Sequence, residues 1–417
     1  MPHDPYDDCR AVNRGVDMTA LSPRTDPSGG PVPPARPAGY GLVRARGTSW
    51  LLHRRAGVVA GALAVALFTA VVANLTLGET TVPVTEVVKV LFGRPSPDEL
   101  VVGTLRMPRL AVGLLAGAAF GVAGALIQTV ARNPLASPEI IGVTHGASAL
   151  TVGAMTFGIT SYATLPYLST AGGLAAAALV YVFAWRGPGS AGSRPGAGPT
   201  RFILIGIGIS VALRSLTQLF LTKGDYLVAQ QAKVWMTGSL NGRGWDQATP
   251  LGVALLLMLP CVVWSARAMR TVTLDDDTAT GLGVRLARNR LVLVVTGVVL
   301  ASVATGAAGP IDFVALLAPQ IARRLTRTAQ IPLLSSALLG AFVVTLGDLL
   351  ARKLFAPTEL PVGVLTAAVG APYLIWLLVR TSGRTRGSRT RLGVRTNRSK
   401  KNSTQEPTTH RPKGAAQ

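Results

Sequence analysis

The sequence predicts an all-α, polytopic membrane protein with about ten transmembrane helices, and three observations carry that prediction. Apolar residues fill 49% of the 417 positions while Asp, Glu, Lys and Arg fill only 14%, about half the usual charged share of a soluble domain. Hydrophobic segments close to the roughly 20 residues that a ~30 Å hydrocarbon layer requires recur along the chain. The 46 glycines fit close helix packing in lipid better than flexible linkers. Length alone would allow two or three soluble domains, but a chain so poor in charge cannot cover a water-facing surface.

Residues 1–55 are rich in Pro, Gly, Ser, Asp and Arg and show no apolar periodicity, so they are expected to form a disordered cytoplasmic extension. The uncharged run 56–77 follows. It is too long for the core of a cleaved signal and matches a first span. Further spans are expected near 110–130, 141–159, 165–185, 202–221, 251–266, 291–308, 311–325, 331–350 and 362–379, which together make a membrane domain over 56–380. Residues 381–417 form a basic tail, expected to be disordered.

Net charge is +22, which raises the question of nucleic acid. Much of that charge lies in the ends: from Gly383 onward ten basic residues face one acid, Glu406. A basic tail just after the last span is what the positive-inside rule and anionic lipid headgroups predict, so membrane lipid is the expected partner and nucleic acid is not. With both termini cytoplasmic, the inner loops carry Arg132, Arg186, Arg194, Arg201, Arg267, Arg270, Arg285, Arg288, Arg290, Arg323, Arg324 and Arg327, while the outer loops carry mixed charge. Cys9 and Cys261 imply no disulfide framework.

Within the second span Gly113, Gly117 and Gly121 recur every four residues, followed by Gly124. Such a ridge lets another helix approach closely, as packing or as a sliding surface along a pathway. Arg214 lies inside a span, where it either faces the bundle interior or a wet cavity, or snorkels to an interface. Asp312 and Asp348 stand near the outer ends of their spans and read as structural. In the loop after the sixth span, Asp275, Asp276 and Asp277 suit a helix N-terminus, and Gly281 and Gly283 would end that helix. This short helix is either a docking element for a cytoplasmic partner or a solvated loop.

No enzyme constellation is present. His3, His53, His145 and His410 have no metal-ligand spacing, and no G-x-x-x-x-G-K-[ST] phosphate loop occurs. No metal or cofactor is expected on this chain, and any energy must come from elsewhere.

Five ordered motifs resemble one family, the FecCD-type permeases of ATP-binding-cassette importers. Leu105, Arg106, Met107, Pro108 and Arg109 match L-R-x-P-R. Arg132, Asn133, Pro134, Leu135, Ala136, Ser137 and Pro138 match R-N-P-L-A-x-P. The loop from Leu274 through Asp275, Asp276, Asp277, Ala279, Gly281, Leu282 and Gly283 to Val284 is similar to L-G-E-x-x-A-x-x-L-G-V. Gly309, Pro310, Ile311, Phe313, Val314, Leu316, Pro319, Ile321 and Arg323 match most of G-P-I-G-F-V-G-L-x-x-P-H-I-x-R, with Asp312, Ala315 and Gln320 as departures. Asp348, Ala351, Arg352, Glu359, Leu360, Pro361, Gly363, Val364, Thr366, Ala367, Gly370, Ala371 and Pro372 match the last pattern.

The resemblance implies a type II importer permease that imports an iron-siderophore complex, with cobalamin or haem as the alternative. It implies three kinds of partner chain: a second permease subunit, which is a homologue or a copy, two cytoplasmic ATPases that bind the ATP, and an extracytoplasmic binding protein. By motif position the loop Leu274 to Val284 contacts the ATPase. Arg106, Arg109 and Arg352 then either engage carboxylates of the binding protein, which suits arginine's bidentate geometry, or anchor span ends. An ion-driven carrier would need broken repeats and a midplane polar site, which the sequence does not show.

Overall fold

The computed structural model describes residues 40–45, 48–78, 80–159, 161, 164–185, 199–354 and 358–393. It divides into Met1–Arg54 and Arg55–Gln417. In the first unit β1 (Tyr40–Ala45) pairs antiparallel with β2 (Thr48–His53), with Leu42 opposite Leu51 and Val43 opposite Trp50. Aliphatic and aromatic residues at paired positions favour antiparallel pairing of this kind. The hairpin lies within 1–55, where the sequence predicts an extension without regular structure; strands of six residues are short enough to be hidden by the Pro- and Gly-rich composition around them. The rest of the expected extension lies outside the described residues.

Among the described residues the second unit is helical throughout. Its long helices are α1 (Arg54–Thr76), α3 (Met107–Ala131), α4 (Val143–Thr156), α5 (Leu165–Trp185), α6 (Pro199–Lys223) and α8 (Trp245–Val272), then α10 (Leu286–Ala308), α11 (Val314–Thr326), α12 (Leu333–Lys353) and α13 (Val362–Gly393). These ten fall on the ten predicted segments. Between them lie the short α2 (Val84–Leu91), α7 (Tyr226–Met236) and α9 (Asp276–Gly281), and a π-helical turn, Leu100–Arg106, that leads into α3. Helix α13 continues to Gly393, past the boundary set at 380, and 394–417 lie outside the described residues.

Seven helices are long and apolar enough to cross a membrane by themselves. Helices α4 and α11, with 14 and 13 residues, reach only about 20 Å at 1.5 Å per residue. Both start late because the chain before them turns through the left-handed region, at Gly142 (φ 87°) and Phe313 (φ 67°). Those turns sit well inside the bundle. A Cβ on Gly206, in the interior of α6, would lie 2.7 Å from the carbonyl of Ile140, and one on Gly370 of α13 would lie 2.5 Å from Phe313. Non-helical backbone at such depth persists only where protein or a wet cavity covers it.

Helix α3 forms the centre. Val112, Phe120 and Leu126 are fully buried on it, and α8, α10, α11 and α12 pack around it. The glycine ridge explains how the backbones come so close. A Cβ on Gly117 would meet Gly340 O at 2.5 Å, one on Gly113 would meet Leu240 at 2.9 Å, Gly121 abuts Ser336 of α12, and Gly124 abuts Ala315 of α11. The ridge is therefore a packing surface against α12 and α11.

Candidate functional site

Helix α3 is about 37 Å long, and a charged cluster stands at each of its ends. At its start, Arg106 turns toward the last turn of α1. Its Nη1 donates to Leu75 O at 2.6 Å and Thr76 O at 3.2 Å, and its Nη2 donates to Thr80 O. The last carbonyls of any helix lack intrahelical partners and carry partial negative charge, so a guanidinium there acts as a cap. Arg106 is only 6% exposed.

One turn later Arg109 reaches α12. Its Nε and Nη2 both donate to Asp348 Oδ1, at 3.1 and 2.8 Å, while Nη1 donates to Glu359 at 3.1 Å. Arg352, one turn beyond Asp348, lies 3.2 Å from Asp348 Oδ2 and donates to Asn74 Oδ1 at 2.6 Å. Asn74 is buried on α1 and donates in turn to Thr345 O of α12. Lys353 donates to Gly78 O. This network welds α1, α3 and α12 at one end of the bundle. Its side chains are deeply buried at Asp348, 3% exposed, and more open at Glu359, 29% exposed. The three arginines considered for docking are thus brought to one end, each engaged inside its own chain, an arrangement that fits the alternative in which they anchor span ends. The structural reading of Asp348 agrees with its place here. Asp312, on the turn before α11, is exposed.

At the other end of α3, Arg132 adopts a left-handed conformation, φ 49°. Its Nη2 donates to Val272 O at 3.2 Å, Leu274 O at 2.7 Å and Asp276 Oδ1 at 2.7 Å. The same Asp276 oxygen accepts from Arg290 of α10 at 2.6 Å. These guanidiniums, Arg290 first, hold the Asp276 carboxyl below the usual carboxylate range. Helix α9 is capped at its far end by a Schellman motif: Val284 N donates to Ala279 O at 3.0 Å, Gly283 N donates to Thr280 O at 2.9 Å, and Gly283 has φ 76°. Gly281 is the last helical residue, and Ala279 is fully buried beneath it. Leu274 and Leu282, 38% and 69% exposed, flank the helix on the solvent side. Asp275 occupies the N-cap without a side-chain capping bond.

A cleft of about 280 Å³ opens beside this element, lined in part by Gln128, Arg132, Asn133, Thr273, Gln320 and Arg323. At its floor Gln320 Nε2 donates to Gln128 Oε1 at 2.6 Å, and Gln128 Nε2 donates to Leu316 O at 3.1 Å. Gln320, a departure from the family motif, thereby ties α11 to α3. On the same side Arg324 stacks over Trp376 and Tyr373 of α13, at 5.0 and 5.8 Å.

Arg214 stands exposed on α6, within electrostatic range of His145 of α4. The chain by itself does not cover it. Leu204, Ile207 and Val211 of the same helix are exposed as well. Asn74 and Gln128 were not singled out from the sequence, where their only signal was a polar residue inside an apolar run; Arg132 and Gln320 stood there within motifs and Arg290 in a basic inner loop, without the contacts described here. Among the described residues no His, Cys, Asp and Glu group is arranged to hold a metal.

Comparison with known proteins places these features in context. The model of the FecCD transport family matches residues 65–380. The chain is 39% identical over 311 residues to the ferric enterobactin transport system permease protein FepG of Escherichia coli (strain K12), covering 74% of this chain and 92% of that one. It is 36% identical over 319 residues to the iron(3+)-hydroxamate import system permease protein FhuG of Bacillus subtilis (strain 168), covering 74% and 93%. A solved ABC transporter described as of metal-chelate type, in an inward-facing conformation, superposes with a TM-score of 0.65 at 27% identity, over 78% of this chain and 99% of the other.

Proposed function

The chain belongs to the FecCD transport family, and on that premise we propose that it is the membrane subunit through which an iron-siderophore complex enters the cytoplasm. The observation that carries this reading is similarity over 92% and 93% of the length of permeases named for ferric enterobactin and iron(3+)-hydroxamate. The chain is a transporter permease, and ATP hydrolysis belongs to a separate subunit. Both termini and α9 face the cytoplasm, as the positive-inside rule requires of the arginine-rich loops. Helix α9, with its exposed Leu274 and Leu282, is the seat of the ATPase. The opposite end of α3 receives the loaded binding protein.

Docking through Arg109 proceeds by exchange. Asp348 fixes two donors of its guanidinium, and Glu359, the more exposed acid, gives up the third to a carboxylate of the partner. Arg106, committed to the carbonyls of α1, and Arg352, committed to Asn74, keep the face in shape. A second permease subunit covers the open face of α6, because an arginine such as Arg214 left against lipid is costly.

The test is uptake of radio-labelled iron, supplied as several chelates beside labelled cobalamin, in cells lacking this chain and in cells complemented with it. Loss of one iron chelate's uptake, restored by complementation, is the expected result. A fall in cobalamin uptake with iron unaffected would replace the substrate and keep the family.

A further inference from the structure

Helix α9 is six residues long, and beside the burial of Ala279 its Asp276 carboxylate ties it to the bundle, accepting from Arg132 at the end of α3 and from Arg290 in the first turn of α10. Arg132 also donates to Val272 O and Leu274 O, the backbone that leads into α9. One guanidinium thus holds both the helix and the backbone leading into it, and it hangs from the central helix α3. Its backbone is left-handed, an uncommon state for a residue that is not glycine, which swings the chain from α3 into the Asn133–Pro134 turn.

We propose that Arg132 is the positioning residue that transmits motion of α9 to the core helix α3, with Arg290 carrying the same displacement to α10. This rests on the reading of α9 as the ATPase contact. The exposure of the triad explains how one link can be loose at rest and firm when the ATPase is seated. With side chains 43% and 47% exposed, the Arg132–Asp276 pair is screened by water and contributes little to stability. A protein docked over α9 excludes that water, and the same pair then attracts more strongly because the local dielectric falls. Displacing α9 pulls Asp276, and Asp276 pulls the ends of α3 and α10 together.

The experiment uses the assembled transporter in proteoliposomes with binding protein and labelled substrate, and measures ATP hydrolysis and uptake on the same sample. R132A is expected to lower the substrate moved per ATP by roughly 2- to 30-fold, the range seen for residues that carry coupling. R132K, which keeps the charge but not the forked reach to three acceptors, recovers part of the ratio, and R290A lowers it less than R132A. A T280C variant on α9, cross-linked to the ATPase, reports separately whether α9 is the contact. If the cross-link forms and R132A keeps the wild-type ratio, the inference fails while the contact stands. If no cross-link forms in the active complex, the reading of α9 itself fails. Uptake and hydrolysis falling in proportion for both R132A and R132K, in complexes that still cross-link, would likewise overturn the coupling role.

Discussion

The two ends of α3 carry the same chemistry, arginine against aspartate, in opposite surroundings. At the Arg109 end the acid is 3% exposed and receives two arginines in a buried network. At the Arg132 end the acid is 47% exposed and also receives two. A buried pair is costly to desolvate and ruinous to break, because removing one partner strands a charge away from water. An exposed pair is cheap to make and to remake. One end is therefore a weld between α1, α3 and α12, and the other a joint between α9 and the bundle. On the proposed reading, the end that keeps its shape for a docking protein is the weld and the end that moves with an ATPase is the joint.

Replacing Asp348 with Asn should test the weld most severely. It leaves Arg109 and Arg352 facing a neutral amide in a dry site, so unfolding in detergent should become easier by about 3–5 kcal/mol. The comparison breaks if D348N unfolds like wild type. G121L separates α3 from α12 about 18 Å along α3 from Arg109, since even a Cβ there would run into Ser336. A loss of about 1–3 kcal/mol on the same assay is expected from such overpacking. If only G121L were destabilising, backbone packing rather than charge would hold α3 to α12.

Q320A sharpens the view of the other end. It removes the donor to the buried Gln128 Oε1 and should cost about 1–3 kcal/mol, because this amide pair, unlike the triad beside it, is buried. Last comes D276N, for which less than about 1 kcal/mol is expected. A cost equal to that of D348N would erase the distinction between weld and joint. The joint also has a predictable pH response. Since Arg290 and Arg132 lower the Asp276 pKa in the folded state, its stabilising share is present at neutral pH and is lost only as pH falls through that lowered value, below the ordinary ~3.9. The substrate moved per ATP should then be flat from about pH 5 to 8, and a midpoint inside that range would assign the coupling to another group.

Much of the membrane body was legible residue by residue. Apolar runs of span length located all ten long helices, because lipid requires each crossing segment to satisfy its own backbone. The ridge of Gly113, Gly117 and Gly121 announced a close helix crossing. Gly281 and Gly283 marked the end of α9, though only Gly283 takes the left-handed turn. The hairpin of Tyr40–Ala45 with Thr48–His53 escaped notice, since composition averages over windows longer than a six-residue strand. The short reach of α4 and α11 was only partly visible. Hydropathy is the same whether an apolar residue is helical or in a turn folded inside the bundle, as Ile140 and Ile141 are.

The charged sites divide the same way. Motif order picked out Arg106, Arg109 and Arg352 together and the structure brings them to one end, yet whether they face outward was not readable. That depends on where the carbonyls of α1 fall and on an aspartate 239 residues away in the chain from Arg109. The sequence by itself determined the helical crossings, their breaks and the small-residue faces, because each follows from local hydropathy and local sterics. Only the tertiary structure decided which arginine is a cap, which a weld and which a joint, because a charge takes its role from its partners and from the water around it, and both are set by segments distant in the chain.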